Sequence, residues 1–280
     1  MSIGWSILLY LGIAYVVLAL AFYFLQDYFF FRPEKLPDYF RYRYPFPFDE
    51  VNFEMEDGGQ INGLHFKIPN AKGVVYYFKG NSRSIKGWAK FASDFIGKGY
   101  DFFMIDYRGF GKSKGRRTEA ILYNDTQHVY KWLKTKYAEE DIIIYGRSLG
   151  SGIATRIASW NKPRTLILDS PYYSFLSQIK RFAFILPVHW LLRYHIRTDQ
   201  FIKKVNCPIF IIHGRKDRLI PFRHSEMLLR LVPRQSHLFA IDDAGHNNLP
   251  DFPAYHDYLY DILNDDDLYF SVVRQVGMAS

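Results

Sequence analysis

The chain has one cysteine, Cys207, so it closes no internal disulfide and suits a reducing compartment. Lys and Arg outnumber Asp and Glu by 36 to 28, yet they nowhere gather into a basic run, and no zinc-finger, RRM or KH pattern occurs. Nucleic acid is therefore not an expected partner, and the formal charge of +8 points instead to anionic membrane headgroups. No GxGxxG follows a strand-like run, which removes the dinucleotide fold. GKS at Gly111 to Ser113 imitates the end of a phosphate loop, but Asp106 stands where that loop needs its first glycine. Repeats and low-complexity tracts are also missing. No metal and no cofactor is expected.

What is present begins with an apolar run. Residues 3–25 carry no charge, and a helix of that length spans a bilayer core. A signal peptide would open with basic residues and have a shorter apolar core, whereas MSIGWS has no Lys or Arg. The bland alternative is a buried helix, but a soluble enzyme seldom needs one this long without a charge. Residues 1–31 are thus expected to form a single transmembrane anchor with an interfacial belt of Tyr23, Tyr28 and Phe29 to Phe31. Arg32, Lys35, Arg41 and Arg43 make the C-terminal flank the more basic one, which predicts a cytoplasmic catalytic domain. Residues 32–50 read as an extended linker, and 51–280 as one domain.

In that domain, residues 51–55 and 61–68 read as an edge hairpin around Asp57-Gly58-Gly59. Short apolar strands follow at 74–78, 102–105, 142–145, 166–168, 209–212 and 238–241. Helical stretches at 86–98, 118–137 and 222–231 separate them, the alternation of βαβ units on a mostly parallel sheet. Leu122, Val129 and Leu133 keep one face of the second stretch apolar. At about 172–205 the alternation gives way to an aromatic and aliphatic segment containing Phe175, Phe182, Phe184 and Trp190. It reads equally as a short lid or as ordinary core helices.

Chemistry centres on IIIYGRSLGSG. Ile142 to Ile144 suit a central parallel strand, and Gly146 and Gly150 flank Ser148 in a GxSxG pattern that mounts a serine on a sharp strand-to-helix turn. The pattern is short enough to arise by chance, so the other parts of the machinery must be found. The strand in PIFIIHGRKD leads to Asp217, and the loop in HLFAIDDAGHNNL offers His246. The chain order Ser148, Asp217, His246 is that of a nucleophile, an orienting acid and a general base. Each has a bland rival: a surface or capping histidine, or a solvated aspartate in RKDR. Asp242 and Asp243 compete for the acid role. The first oxyanion-hole donor is expected at the backbone N–H of Leu149, and the second at Asn81 in KGNSRS after the 74–78 strand.

Together, KGNS at Lys79 to Ser82, DYRGFGKSKG at Asp106 to Gly115, GRSLGSG at Gly146 to Gly152, HGRKDRLIPF at His213 to Phe222 and AGHNNL at Ala244 to Leu249 form a family pattern. The chain resembles the Bem46-like membrane-anchored α/β-hydrolases, relatives of the α/β-hydrolase domain-containing proteins of types 13 and 17 and of hydrolases assigned to the serine aminopeptidase family. The resemblance implies an α/β-hydrolase fold, a mostly parallel sheet of about eight strands flanked by helices, and a Ser148, Asp217, His246 triad. Where the family usually has His-Gly, this chain has Lys79-Gly80, which would put a cation near the site. The expected activity is cleavage of carboxylic esters or thioesters in a small-molecule or acylated substrate at a lipid bilayer. A serine peptidase using the same triad is the alternative, and a non-catalytic membrane scaffold a third. Spacing fixes neither the natural substrate nor the oligomeric state.

Overall fold

A computed structural model describes residues 3–264 and Val272; the remainder of the stretch expected to close the domain at 280 lies outside the described residues. Helix α1 runs from Ile3 to Phe30, beyond the charge-free run. It is long and apolar enough to cross a membrane, and its apolar window is unburied. Strands β1 (Phe48–Glu54) and β2 (Gln60–Phe66) form the hairpin, followed by β3 (Val74–Phe78). The expected 86–98 helix is broken into α2 (Ile85–Trp88), a 3₁₀ turn and α3 (Ala92–Ile96). Then come β4 (Asp101–Ile105), α4 (Glu119–Leu133), β5 (Ile142–Arg147), α5 (Leu149–Trp160) and β6 (Thr165–Asp169). Three short helices, α6 (Phe175–Lys180), α7 (Val188–Leu191) and α8 (Thr198–Phe201), occupy the interrupted segment. The chain continues through β7 (Ile209–Gly214), α9 (Arg223–Leu231), β8 (Ser236–Ile241) and α10 (Pro253–Asn264).

The eight strands form one sheet in the order β1-β2-β4-β3-β5-β6-β7-β8. β1, β2 and β4 pair antiparallel, and every pair from β4 through β3 to β8 is parallel. The interior strands are buried on both faces, which is why they read as continuous apolar runs. Alternate side chains still serve different layers. Tyr76, Ile144, Leu168 and Ile211 join the core under α4 and α5, whereas Tyr77, Tyr145, Ile167 and Ile212 join the one under α3 and α10. Each such side chain contributes roughly 1.5–3 kcal/mol of burial, so the sheet is held along its whole width. The strand order reverses between β3 and β5, and that reversal opens a crevice at their C-terminal ends.

Residues 32–47 lie against the domain instead of standing free, and β1 starts within the stretch read as linker. Backbone N–H groups of Leu36 and Gly111 donate to Gly111 and Glu34, Tyr42 is buried, and Phe40, Tyr44 and Phe46 pack on the α3 and α10 core. The expected interfacial belt is likewise divided. Tyr23, Tyr28 and Phe29 are exposed, but Phe30 is buried edge-on against Phe175, and Phe31 against Tyr194.

Candidate active site

Ser148 sits at the crevice, on the turn between β5 and α5. Its φ of 53° is in the left-handed region, a strain that this tight turn imposes on a non-glycine residue. Gly146 and Gly150 make the turn possible by close approach. A Cβ at Gly146 would stand 2.5 Å from the Ala154 Cβ, and one at Gly150 would stand 2.1 Å from the Phe78 carbonyl oxygen. The Ser148 N–H donates to the Asp169 carbonyl at 2.9 Å, tying the turn to β6.

The structure brings three of the sequence-selected side chains together. His246, in the loop after β8, places Nε2 2.9 Å from Ser148 Oγ and Nδ1 2.7 Å from Asp217 Oδ2. The other Asp217 oxygen accepts the Leu219 and Ile220 N–H groups, each at 2.8 Å. Burial opposes ionisation of Asp217, but hydrogen bonds from His213 and His246 and the backbone outweigh it and hold this carboxyl far below the usual carboxylate range. Asp242 and Asp243 are elsewhere, exposed on the surface in ion pairs with Arg215 and Lys216. Asn81 and Leu149 line the same cavity as Ser148. The Leu149 N–H is the first of α5 and has no carbonyl partner within the helix, the condition for a donor aimed at a developing oxyanion.

Lys79 is not the neighbour its position suggested. Its side chain is fully buried away from the cavity, with Nζ 3.5 Å from Asp106, 3.3 Å from the Arg83 carbonyl and 3.6 Å above the Phe110 ring. Burial pushes its pKa down to about 8 despite the Asp106 carboxylate. It closes the 79–83 loop from behind, and the cation facing the cavity is Arg32. Arg32 also belongs to that loop's support: its N–H donates to the Asn81 carbonyl and its own carbonyl accepts the Arg83 N–H, both at 2.9 Å.

The cavity has a volume of about 430 Å³ and is mainly apolar. Phe22, Phe29 and Phe30 from α1 form one side of it, and Phe175 and Ile179 from α6, with Phe182 just beyond that helix, form another. Among the described residues no three His, Cys, Asp or Glu side chains are grouped to hold a metal ion.

Residues 69–198 match the family described as serine aminopeptidase, S33. The Escherichia coli (strain K12) protein YfhR is 28% identical over 213 residues, 72% of this chain and 74% of that protein. Human α/β-hydrolase domain-containing protein 17B is 31% identical over 193 residues, 67% of this chain and 65% of that one. Among solved structures, the Pyrococcus furiosus esterase Pf2001 superposes with a TM-score of 0.66 at 24% identity, over 83% of this chain and 99% of the esterase. The 2,6-dihydroxy-pseudo-oxynicotine hydrolase gives 0.62 at 20% identity, over 78% of this chain and 69% of that one. The chain has the α/β-hydrolase fold. With the matched serine family, it is an enzyme of the serine hydrolase class, related to the S33 group and distantly to the 17B protein and YfhR.

Two features of this α/β-hydrolase escaped the sequence. His213 is fully buried and shares the Asp217 carboxylate, its Nε2 3.1 Å from Oδ2, while its Nδ1 lies 2.6 Å from Ser225 Oγ. Arg147, immediately before Ser148, pairs with buried Asp169 at 3.4 Å and reaches the His246 carbonyl at 3.3 Å. The only signal for either was its place at a strand end. A polar residue closing an apolar run is unremarked until the strand or loop packed against it is known.

Proposed function

We propose that this hydrolase cleaves carboxylic esters or thioesters from a membrane through Ser148, His246 and Asp217. The observation that carries the reading is the hydrogen-bonded series from Ser148 through His246 to Asp217 at the edge of an apolar cavity that α1 helps to wall. His246 Nε2 takes the Ser148 proton as Oγ attacks the acyl carbonyl. Asp217 keeps the imidazole in the tautomer with Nδ1–H and stabilises its protonated form. The oxyanion accepts from the Leu149 and Asn81 N–H groups. His246 then protonates the leaving alcohol or thiol, and water, deprotonated by the same imidazole, releases the acid from the acyl-enzyme.

Labelling with a fluorophosphonate tests this: a stable adduct on wild type and none on Ser148→Ala is expected. Folded wild-type protein that takes no label would sink the reading. A serine aminopeptidase is the rival named by the family match. Such an enzyme must hold a free ammonium group, yet among the described residues none lining the cavity carries a carboxylate and one, Arg32, is a cation. Parallel assays on aminoacyl amides and acyl esters separate the two. We place the domain on the cytoplasmic side of a single-pass anchor because of the basic residues that follow the helix, Arg32, Lys35, Arg41 and Arg43. Protease added to sealed, right-side-out membranes should leave the domain intact.

A further inference from the structure

Residues 182–192, between Arg181 and Arg193, contain no Asp, Glu, Lys or Arg. Unlike the core strands, they turn large apolar side chains outward: Phe184 is 80% exposed and Trp190 81%, with Phe182 and Ile185 also exposed. A soluble surface rarely carries so dense a patch without a partner. Most of the backbone N–H groups of this stretch are satisfied from within the chain. The N–H groups of Phe182, Ala183, Leu186, Val188, Trp190 and Leu192 all donate to nearby carbonyls. Two of its carbonyls are reached from α1: Ile185 by the Tyr15 hydroxyl at 3.1 Å and Leu191 by the Gln26 amide at 2.6 Å. Internal satisfaction of this kind is what hydrocarbon demands and water does not.

The depth also agrees. The uncharged run of α1 ends at Asp27, and the uncharged run of the lid ends at Arg193, and these two residues form an ion pair at 3.2 Å. Gln26 beside them accepts the Arg193 N–H at 2.9 Å. Both segments therefore leave the apolar zone at one level. Tyr15 stands roughly 18 Å along α1 from Asp27, by the rise of a helix, so its bond to Ile185 brings the tip of the lid well below that level. Lys180 and Arg181 bracket the other end of the lid, where long cationic side chains reach headgroups.

We infer that residues 182–192 seat in the bilayer beside α1, so that the lid is a second membrane contact and the Ser148 cavity takes its acyl chain directly from the lipid. Phe182 belongs to both surfaces, lining the cavity and the exposed patch. The substrate is accordingly a bilayer-resident acyl ester or thioester, which enters tail first between α1 and α6.

The membrane arm of the test does not depend on the hydrolase reading. Cys207 is buried, so a spin label added to Phe184→Cys reports the lid alone. The full chain is placed in phosphatidylcholine and phosphatidylserine vesicles, with Glu140→Cys on the far side as the aqueous reference. At Phe184 the label should collide with oxygen and be shielded from a nickel chelate. Equal access of the chelate at both positions overturns the inference, and shielding from both reagents does so in favour of a protein partner or second copy. The kinetic arm does rest on the reading. Phe184→Asp should lower the turnover of a long-chain acyl ester in the vesicles, relative to a soluble short-chain ester, by roughly tenfold. An unchanged ratio overturns delivery from the bilayer, whereas loss of Ser148-dependent hydrolysis of every ester by wild type would count against the proposed reaction instead.

Discussion

Beneath the cavity floor at Ser148, the Asp217 carboxylate accepts from two backbone N–H groups and meets two histidines, and Arg147 ties the His246 loop to Asp169. On its wall, Phe22, Phe29 and Phe30 on one side and Phe175, Ile179 and Phe182 on the other present apolar side chains, and the bonds that join α1 to residues 185–193 lie outside the cavity. Directional bonds fix atoms to a fraction of an ångström inside a packed sheet, whatever surrounds the protein. Apolar contacts set a volume, and part of their driving force depends on what lies outside. The floor should therefore govern whether any substrate turns over, and the wall which one.

The sharpest break falls on the floor. Ser148→Ala should lower kcat/KM for every ester by roughly 10³ to 10⁶ without unfolding the domain, read from steady-state rates beside a thermal melt. A variant that spared long acyl chains would merge floor and wall into one device. Asp217→Asn comes next, with a loss of roughly 10³ to 10⁴ because an amide no longer selects the Nδ1–H tautomer. The same variant carries a pH signature. Because the folded carboxyl is held below its unfolded value, its stabilisation is complete above the unfolded pKa and disappears as pH falls through the folded one. Wild type should thus lose its stability advantage over Asp217→Asn as urea melts are taken below about pH 4. A gap that persists in acid would show that the carboxylate is not what holds this loop.

Arg147→Gln tests whether the floor is supported from beneath. Both members of the pair are buried, and removing the guanidinium leaves Asp169 without a countercharge, with the Tyr145 and Ser170 hydroxyls as its remaining side-chain partners among the described residues. The expected cost is about 3–5 kcal/mol in chemical denaturation, larger than any exposed ion pair would give. Replacing Arg215 instead, whose bridge to Asp242 is on the surface, should change stability by under about 1 kcal/mol.

Floor and wall were also unequally legible in the sequence. Ser148, Asp217 and His246 each close an apolar strand or lie in the loop after one, so a reading of strands in chain order already names the residues that the parallel sheet gathers at one edge. The Arg147 to Asp169 pair was missed because its partner follows from which strands are neighbours, and β5 lies beside β6 only in the folded sheet, whereas His213 meets Asp217 and Ser225 only because the loop after β7 folds back over its ring. Lys79 was placed by analogy with a histidine. A longer side chain on the same backbone reaches past the site to Asp106 instead. The prolines at 33, 37, 45 and 47 suggested an open linker, because proline forbids regular structure but says nothing about packing, and Tyr42 is buried all the same. On the wall, nothing local marks α1 as a neighbour of α6, since apolar helices carry no address.

The smallest effect should be the most selective. Phe22 is half-buried and packs on the core beside Phe30, on the part of α1 that faces the cavity, so Phe22→Ala removes wall without touching a hydrogen bond. An alkyl tail that loses a few methylene contacts gives up about 1–2 kcal/mol, a five- to thirtyfold change in kcat/KM. The loss should grow with acyl length across a series of esters, since only longer tails reach α1. Leu9→Ala, on the same helix but exposed and remote from the cavity, should leave the length profile flat. If both variants weaken all chain lengths equally, α1 acts only as a tether, and the wall is built by residues 175–182 alone.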